Sequence, residues 1–262
     1  MRRTTLTVLL LCTIMSAGPA LAAGATAEKG QKVIDKAVAF LRSTQAKDGS
    51  WSAEAGPAVT ALIANALIDQ PGIDASDPTV AKAYEYILGL QQKDGGIYNP
   101  DIPLYNNYNT SIAISALSRI VPDPHNPPSN PTPLQKRVIP AMLKAEKYIR
   151  SIQYVAGVDE NGKPITNDHP FYGGAGYGKH GRPDGSNTQF FVQALIDMNV
   201  DCEDPAVKRA VQFFESLQGS KVNKKFGDKI VNDGGSIYAT SINKDHIGVP
   251  QISPTVDPQW RD

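Results

Sequence analysis

Four segments of the chain carry one spacing of apolar positions and align without gaps: IDKAVAFLRSTQ ending at Gln45, VAKAYEYILGLQ at Gln91, MLKAEKYIRSIQ at Gln153 and VKRAVQFFESLQ at Gln218. The shared apolar columns are Ile34/Val80/Met142/Val207, Ala37/Ala83/Ala145/Ala210, Phe40/Tyr86/Tyr148/Phe213 and Leu41/Ile87/Ile149/Phe214, with Thr44/Leu90/Ile152/Leu217 completing the stripe. Offsets of about 3, 4 and 7 residues trace one face of an α-helix. A basic residue, Lys36, Lys82, Lys144 or Arg209, precedes each alanine and marks the solvent side. Asp77-Pro78 and Asp204-Pro205 supply a capping carboxylate followed by a proline suited to the first turn.

A second template follows three of these helices: PAVTALIANAL, YNTSIAISAL and SNTQFFVQAL, aligned at Thr60/Thr110/Thr188 and at Ala66-Leu67/Ala116-Leu117/Ala194-Leu195. These segments are less charged and more apolar around their circumference, which predicts inner helices covered by the first set. The equivalent glutamines are 46, 62 and 65 residues apart. Outer and inner helices alternating at such spacings predict helical hairpins set side by side, an all-α solenoid or ring of about seven helices.

Glycine turns separate the helices. Asp48-Gly49-Ser50-Trp51, Asp94-Gly95-Gly96-Ile97-Tyr98 and Asp233-Gly234-Gly235-Ser236-Ile237-Tyr238 share a turn followed by an aromatic. PDPHNPPSNPTP, from Pro122 to Pro133, reads as a stiff surface connection. FYGGAGYGKHGRPDG, from Phe171 to Gly185, departs most from the repeat, and such departures often carry function.

The ends follow a different logic. Arg2 and Arg3, an apolar stretch from Leu6 to Met15, and Ala20-Leu21-Ala22 have the form of a secretory signal over residues 1–22, cleaved after Ala22 or Ala23. The apolar stretch is too short for a membrane anchor, so the expected location is secreted or periplasmic, with no stable membrane anchor after cleavage. The chain has 262 residues with 26 basic and 26 acidic side chains; losing Arg2 and Arg3 leaves 24 against 26, a net charge of −2. That balance argues against a nucleic-acid partner. Losing Cys12 leaves Cys202 alone, so the exported chain is expected to hold itself together by its core rather than by an internal disulfide.

Lys36-Ala37-x-x-Phe40-Leu41-x-x-x-Gln45-x-x-x-Gly49-x-Trp51 resembles the QW motif of the squalene–hopene cyclase, oxidosqualene cyclase and protein prenyltransferase superfamily. The second copy keeps Lys82, Ala83, Tyr86, Ile87, Gln91, Gly95 and Gly96 without the tryptophan. The third keeps Lys144, Ala145, Tyr148, Ile149 and Gln153; the fourth keeps Arg209, Ala210, Phe213, Phe214 and Gln218 with its Gly-Gly turn delayed to Gly234. The resemblance covers residues 30–238 and leaves 239–262 as an irregular, proline-containing tail. It implies an α/α toroid, two concentric rings of helices around a cavity. It also implies that the glutamine ending one helix bonds toward the start of the next and that an aromatic stacks on it, a role falling on Gln45 with Trp51 and on Gln91 with Tyr98. Gln153 and Gln218 occupy the same structural position.

Chemistry is less plainly written. The acidic cluster D-x-D-D that the resemblance would require for cyclisation does not occur, nor does D-D-x-x-D for a magnesium diphosphate, nor the C-G-E-Q of a thioester. Asp201-Cys202-Glu203-Asp204 fits helix capping, and Cys202 with His246 falls short of a zinc site, so neither metal nor cofactor is expected. The polar positions of the inner helices, Asn65, Ser115 and Gln193 with Asn187 and Thr188, are candidates for a ligand cavity, and they also suit local bonding within helices. His180 with Asp184, beside Lys179 and Arg182, is a candidate acid/base pair, and the same segment also suits a solvated surface loop.

With four outer helices and three inner ones, the expected ring is incomplete, either because the sequence is a piece of a longer protein or because a protein partner completes it. The expectation is therefore a secreted repeat protein acting as a binding or interaction scaffold for an apolar or glycan ligand. The first alternative is an isoprenoid cyclase of the isomerase class lacking its acidic half. The second is a polysaccharide-active enzyme. If it is an enzyme, terpenoid-cyclase-like isomerase or lyase chemistry fits better than protein prenylation.

Overall fold

A computed structural model describes residues 27–178, 182–219, 234–240 and 250–251. The signal segment 1–22, Lys179, His180, His246 and most of the tail lie outside the described residues. Seven α-helices are present among those described: α1 (Ala27–Thr44), α2 (Pro57–Ile68), α3 (Pro78–Gly89), α4 (Asn106–Leu117), α5 (Pro133–Ile152), α6 (Gly185–Asp197) and α7 (Pro205–Leu217). The fold is all-α, and its short antiparallel pairing joins Ala239–Thr240 to Pro250–Gln251 within the C-terminal tail. None of the described helices is long and apolar enough to cross a membrane.

The chain divides into two units, residues 1–44, described through α1, and residues 45–262. α1 is amphipathic, with Ile34, Ala37, Phe40 and Leu41 on one stripe and Gln31 bonded to Asp35 at 2.8 Å on its polar side.

In the second unit α2, α4 and α6 form a row, α4 lying between the other two; α3 packs on α2, α5 on α4 and α7 on α6. α4 is enclosed by three neighbours, so nearly its whole circumference is buried, including Ile112, Ala113, Ile114, Ala116 and Leu117. The outer helices bury only one stripe, for instance Val80, Ala83, Tyr84 and Ile87 of α3.

One set of bonds recurs at three junctions among the described residues. The Gln45 amide donates to Gly49 O at 3.0 Å and to Thr79 O, at the start of α3, at 2.8 Å. Gln91 donates likewise to Gly95 O and to Ala141 O of α5, and Gln153 to Gly173 O and to Ala206 O of α7. The threonine that opens each inner helix then receives the turn: Thr60 Oγ1 accepts from Trp51 N, Thr110 from Ile97 N and Thr188 from Ala175 N, each at 3.0 Å. Gln91 and Gln153 thus tie the ends of α3 and α5 to the next outer helix, Gln45 ties the first glycine turn to the start of α3, and each threonine fixes its turn to the inner helix.

The glycines of these turns have two reasons to be glycine. Gly49, Gly95 and Gly173 have φ of 92°, 96° and 85°, and a Cβ on any of them would run into a carbonyl of the next outer helix, that of Lys82, Lys144 or Arg209. The alanine column beside those carbonyls, Ala83, Ala145 and Ala210, is fully buried.

α5 starts earlier than its repeat segment. Thr132 and Gln135 form a reciprocal capping box and Pro133 takes the first turn, so the proline-rich connection ends in a helix start rather than beside one.

Candidate functional site

The glycine-rich segment after α5 is divided between two roles. Its first part is the third copy of the turn: Gly173-Gly174-Ala175 sits where Gly49-Ser50-Trp51 and Gly95-Gly96-Ile97 sit in the earlier copies, bound to Gln153 and Thr188. Ala175 replaces the tryptophan. In the second copy Ile97, rather than Tyr98, holds the position equivalent to Trp51. Tyr98 lies outside it, its hydroxyl bonded to Asp94 at 2.8 Å and its ring 5.7 Å from that of Tyr148. Burial, above all, pushes the Tyr148 hydroxyl up to about 12.

Residues 154–172, between Gln153 and that turn, form an insertion closed by a buried histidine–aspartate hydrogen bond. His169 Nε2 lies 3.1 Å from Asp159 Oδ2, and Nδ1 accepts the N–H of Phe171 at 3.1 Å. Asp159 Oδ1 takes the N–H groups of Asn161 and Lys163. Burial raises the Asp159 carboxyl, but the donors from Lys163, His169 and Asn161 outweigh it and hold the carboxyl below its ordinary value. Both ring nitrogens of His169 are engaged and its side chain is buried, so the pair fastens the insertion and offers no free base.

Asp184 is fully buried at the start of α6, where Oδ1 accepts from Asn187 N at 2.7 Å and Oδ2 from Asn187 Nδ2 at 2.8 Å. It is the cap of that helix. His180, its sequence-predicted companion, lies outside the described residues. Asn187 Oδ1 is also 3.3 Å from Asn107 Nδ2, which donates to Gly176 O and Asn187 O, stitching the starts of α4 and α6 together. Asn109 Oδ1 does the same for α2, accepting from Ala58 N. Asn65, Ser115 and Gln193 fall at one level of the inner row, five residues after Thr60, Thr110 and Thr188, and all three are half-buried. Gln193 is bonded to Asp197 at 2.7 Å, whereas Asn65 Oδ1 is buried without a hydrogen-bond partner among the described residues.

The structure gathers at the head of the inner row a group that the sequence leaves scattered. Tyr105 and Tyr108 come from the start of α4, Tyr177 from the turn before α6, Phe190 from α6 and Tyr238 from the end of the fourth glycine turn. Tyr177 lies 6.0 Å from Tyr105 and 5.8 Å from Tyr108, centroid to centroid, and Phe190 lies 5.3 Å from Tyr108. The Tyr108 hydroxyl is 2.7 Å from that of Ser186, and the Arg182 guanidinium is 5.9 Å from the centre of the Tyr238 ring. Gly185 N donates to Tyr238 O at 2.8 Å, which holds the end of that turn against α6.

Burial, and then the charge of Asp184, raises the Tyr238 hydroxyl; burial also raises that of Tyr108, with Ser186 acting against it. Both phenols are therefore neutral hydrogen-bonding groups near pH 7 rather than phenolate bases. Among the described residues no group of three or more His, Cys, Asp or Glu could hold a metal ion.

These aromatics break the repeat: Tyr108 stands where the other inner helices have Ala58 and Ser186, and Tyr105 where they have Ala55 and Pro183. The signal legible in the sequence was YNNYN at 105–109, two tyrosines interleaved with asparagines before an inner helix. No protein-family model matches the chain, and no curated protein matches it significantly.

Proposed function

We propose that the chain is an exported scaffold of the squalene-cyclase and prenyltransferase repeat superfamily, and that the tyrosine-rich head of its inner row binds a ligand without transforming it. The observation that supports this most is the split between residues that repeat and residues that do not. The repeated Gln, Gly and Thr are spent on junctions, while the unrepeated Tyr105, Tyr108, Tyr177 and Tyr238 collect on one partly open surface. Neutral phenols, a capping role for Asp184 and full engagement of His169 favour holding a ligand over acid/base chemistry there. The leader-like residues 1–22 support export.

The test is to incubate purified exported chain with squalene and to analyse extracts by gas chromatography, beside binding measurements on wild type and Tyr108→Ala with squalene and with soluble oligosaccharides. The proposal expects no cyclised product and at least one probe whose binding depends on Tyr108. Cyclised product, or no probe that Tyr108 affects, would overturn it.

A further inference from the structure

The head of the inner row combines two kinds of surface. Tyr105 and Tyr238 are 42% and 44% exposed, whereas Tyr108 and Tyr177 are half-buried and brace the cluster. Neighbouring rings meet tilted or edge to face at 5.3–6.0 Å, so each limits the motion of the next and little rotamer freedom is left to lose on binding. Phenol hydroxyls, the Ser186 hydroxyl and the Arg182 guanidinium, with its five donors, lie among those rings.

A hydrocarbon such as squalene would cover these polar groups without bonding them, at a cost in desolvation. Nucleic acid would require a basic field that a balanced chain does not provide. A pyranose ring meets both demands, because its C–H face stacks on an aromatic ring while its hydroxyl rim exchanges hydrogen bonds with phenols, serine and arginine. Resting on the reading of this surface as a ligand site, we infer that it binds a glycan chain, with Tyr105 and Tyr238 as stacking platforms, Tyr108 and Ser186 as hydrogen-bonding partners, and Arg182 as the group that would recognise a carboxylate on an acidic sugar.

Calorimetric titration of the exported chain with cellohexaose and with hexagalacturonate tests this, with squalene in detergent micelles as the apolar probe. The variants are Tyr105→Ala, Tyr238→Ala, Tyr238→Phe and Arg182→Gln; both tyrosines are exposed enough that their variants should melt as wild type does. At least one hexasaccharide is expected to bind, each alanine variant weakening it about tenfold, while Tyr238→Phe, which keeps the ring, retains most of the affinity. If the acidic hexasaccharide is the one bound, Arg182→Gln weakens it as well. Binding of neither hexasaccharide, or binding indifferent to both tyrosines, overturns the inference. Squalene binding that depends on the tyrosines, without glycan binding, would overturn the glycan and leave the ligand site standing; no probe bound would overturn both.

Discussion

Thr60, Thr110 and Thr188 each spend one buried hydroxyl on both backbone groups of a turn residue, accepting its N–H and approaching its carbonyl. Valine has nearly the same shape but would leave the buried N–H of Ile97 without a partner, so Thr110→Val should cost about 1–3 kcal/mol in denaturant unfolding. Gly173→Ala should cost at least about 2 kcal/mol, since it meets both a left-handed φ and the Arg209 carbonyl. Asp159 carries a pH dependence whose sign follows from its depressed carboxyl. Its contribution is complete above the unfolded value, about 4, and is lost as pH falls through the lower folded value. The protection factors of the Asn161 and Lys163 amides, which correct for the intrinsic pH dependence of exchange, should therefore fall on acidification below that value, and Asp159→Asn should remove the transition.

At the scale of elements, α5 and α7 are coupled through Gln153, which is buried and makes bonds at both its ends: to Gly173 O, to Ala206 O and, through Oε1, from Arg209. Arg150 adds a bidentate pair with Asp204, the cap of α7, at 2.9 and 3.1 Å. Gln153→Leu should accordingly destabilise more than Gln45→Leu, whose amide is only partly buried, and comparison of their unfolding midpoints checks the order. Helices and inner–outer alternation were legible because the apolar period is long, repeated and capped. The third turn was not legible. Glutamine and glycine stand 4 residues apart in the first two copies but 20 apart in the third, where an insertion fastened by Asp159 and His169 intervenes. Glycine density that resembled a ligand loop is in part that displaced turn.

For the whole molecule, the division of labour is between residues that repeat and residues that do not. The tyrosine surface escaped sequence reading for a physical reason: positions 105, 108, 177 and 238 share no period, and only packing of α4 beside α6, with Tyr238 held on Gly185, brings them together. Thr60 lies in α2 and contributes to a junction, whereas Tyr238 lies on the open surface and contributes to none of the recurring bonds. The most direct measurement takes thermal midpoint and hexasaccharide affinity together for Thr60→Val and Tyr238→Ala. The account predicts that the threonine variant loses stability and keeps its affinity, while the tyrosine variant keeps its stability and loses affinity. A tyrosine variant that melts early, or one that binds as wild type does, would contradict it.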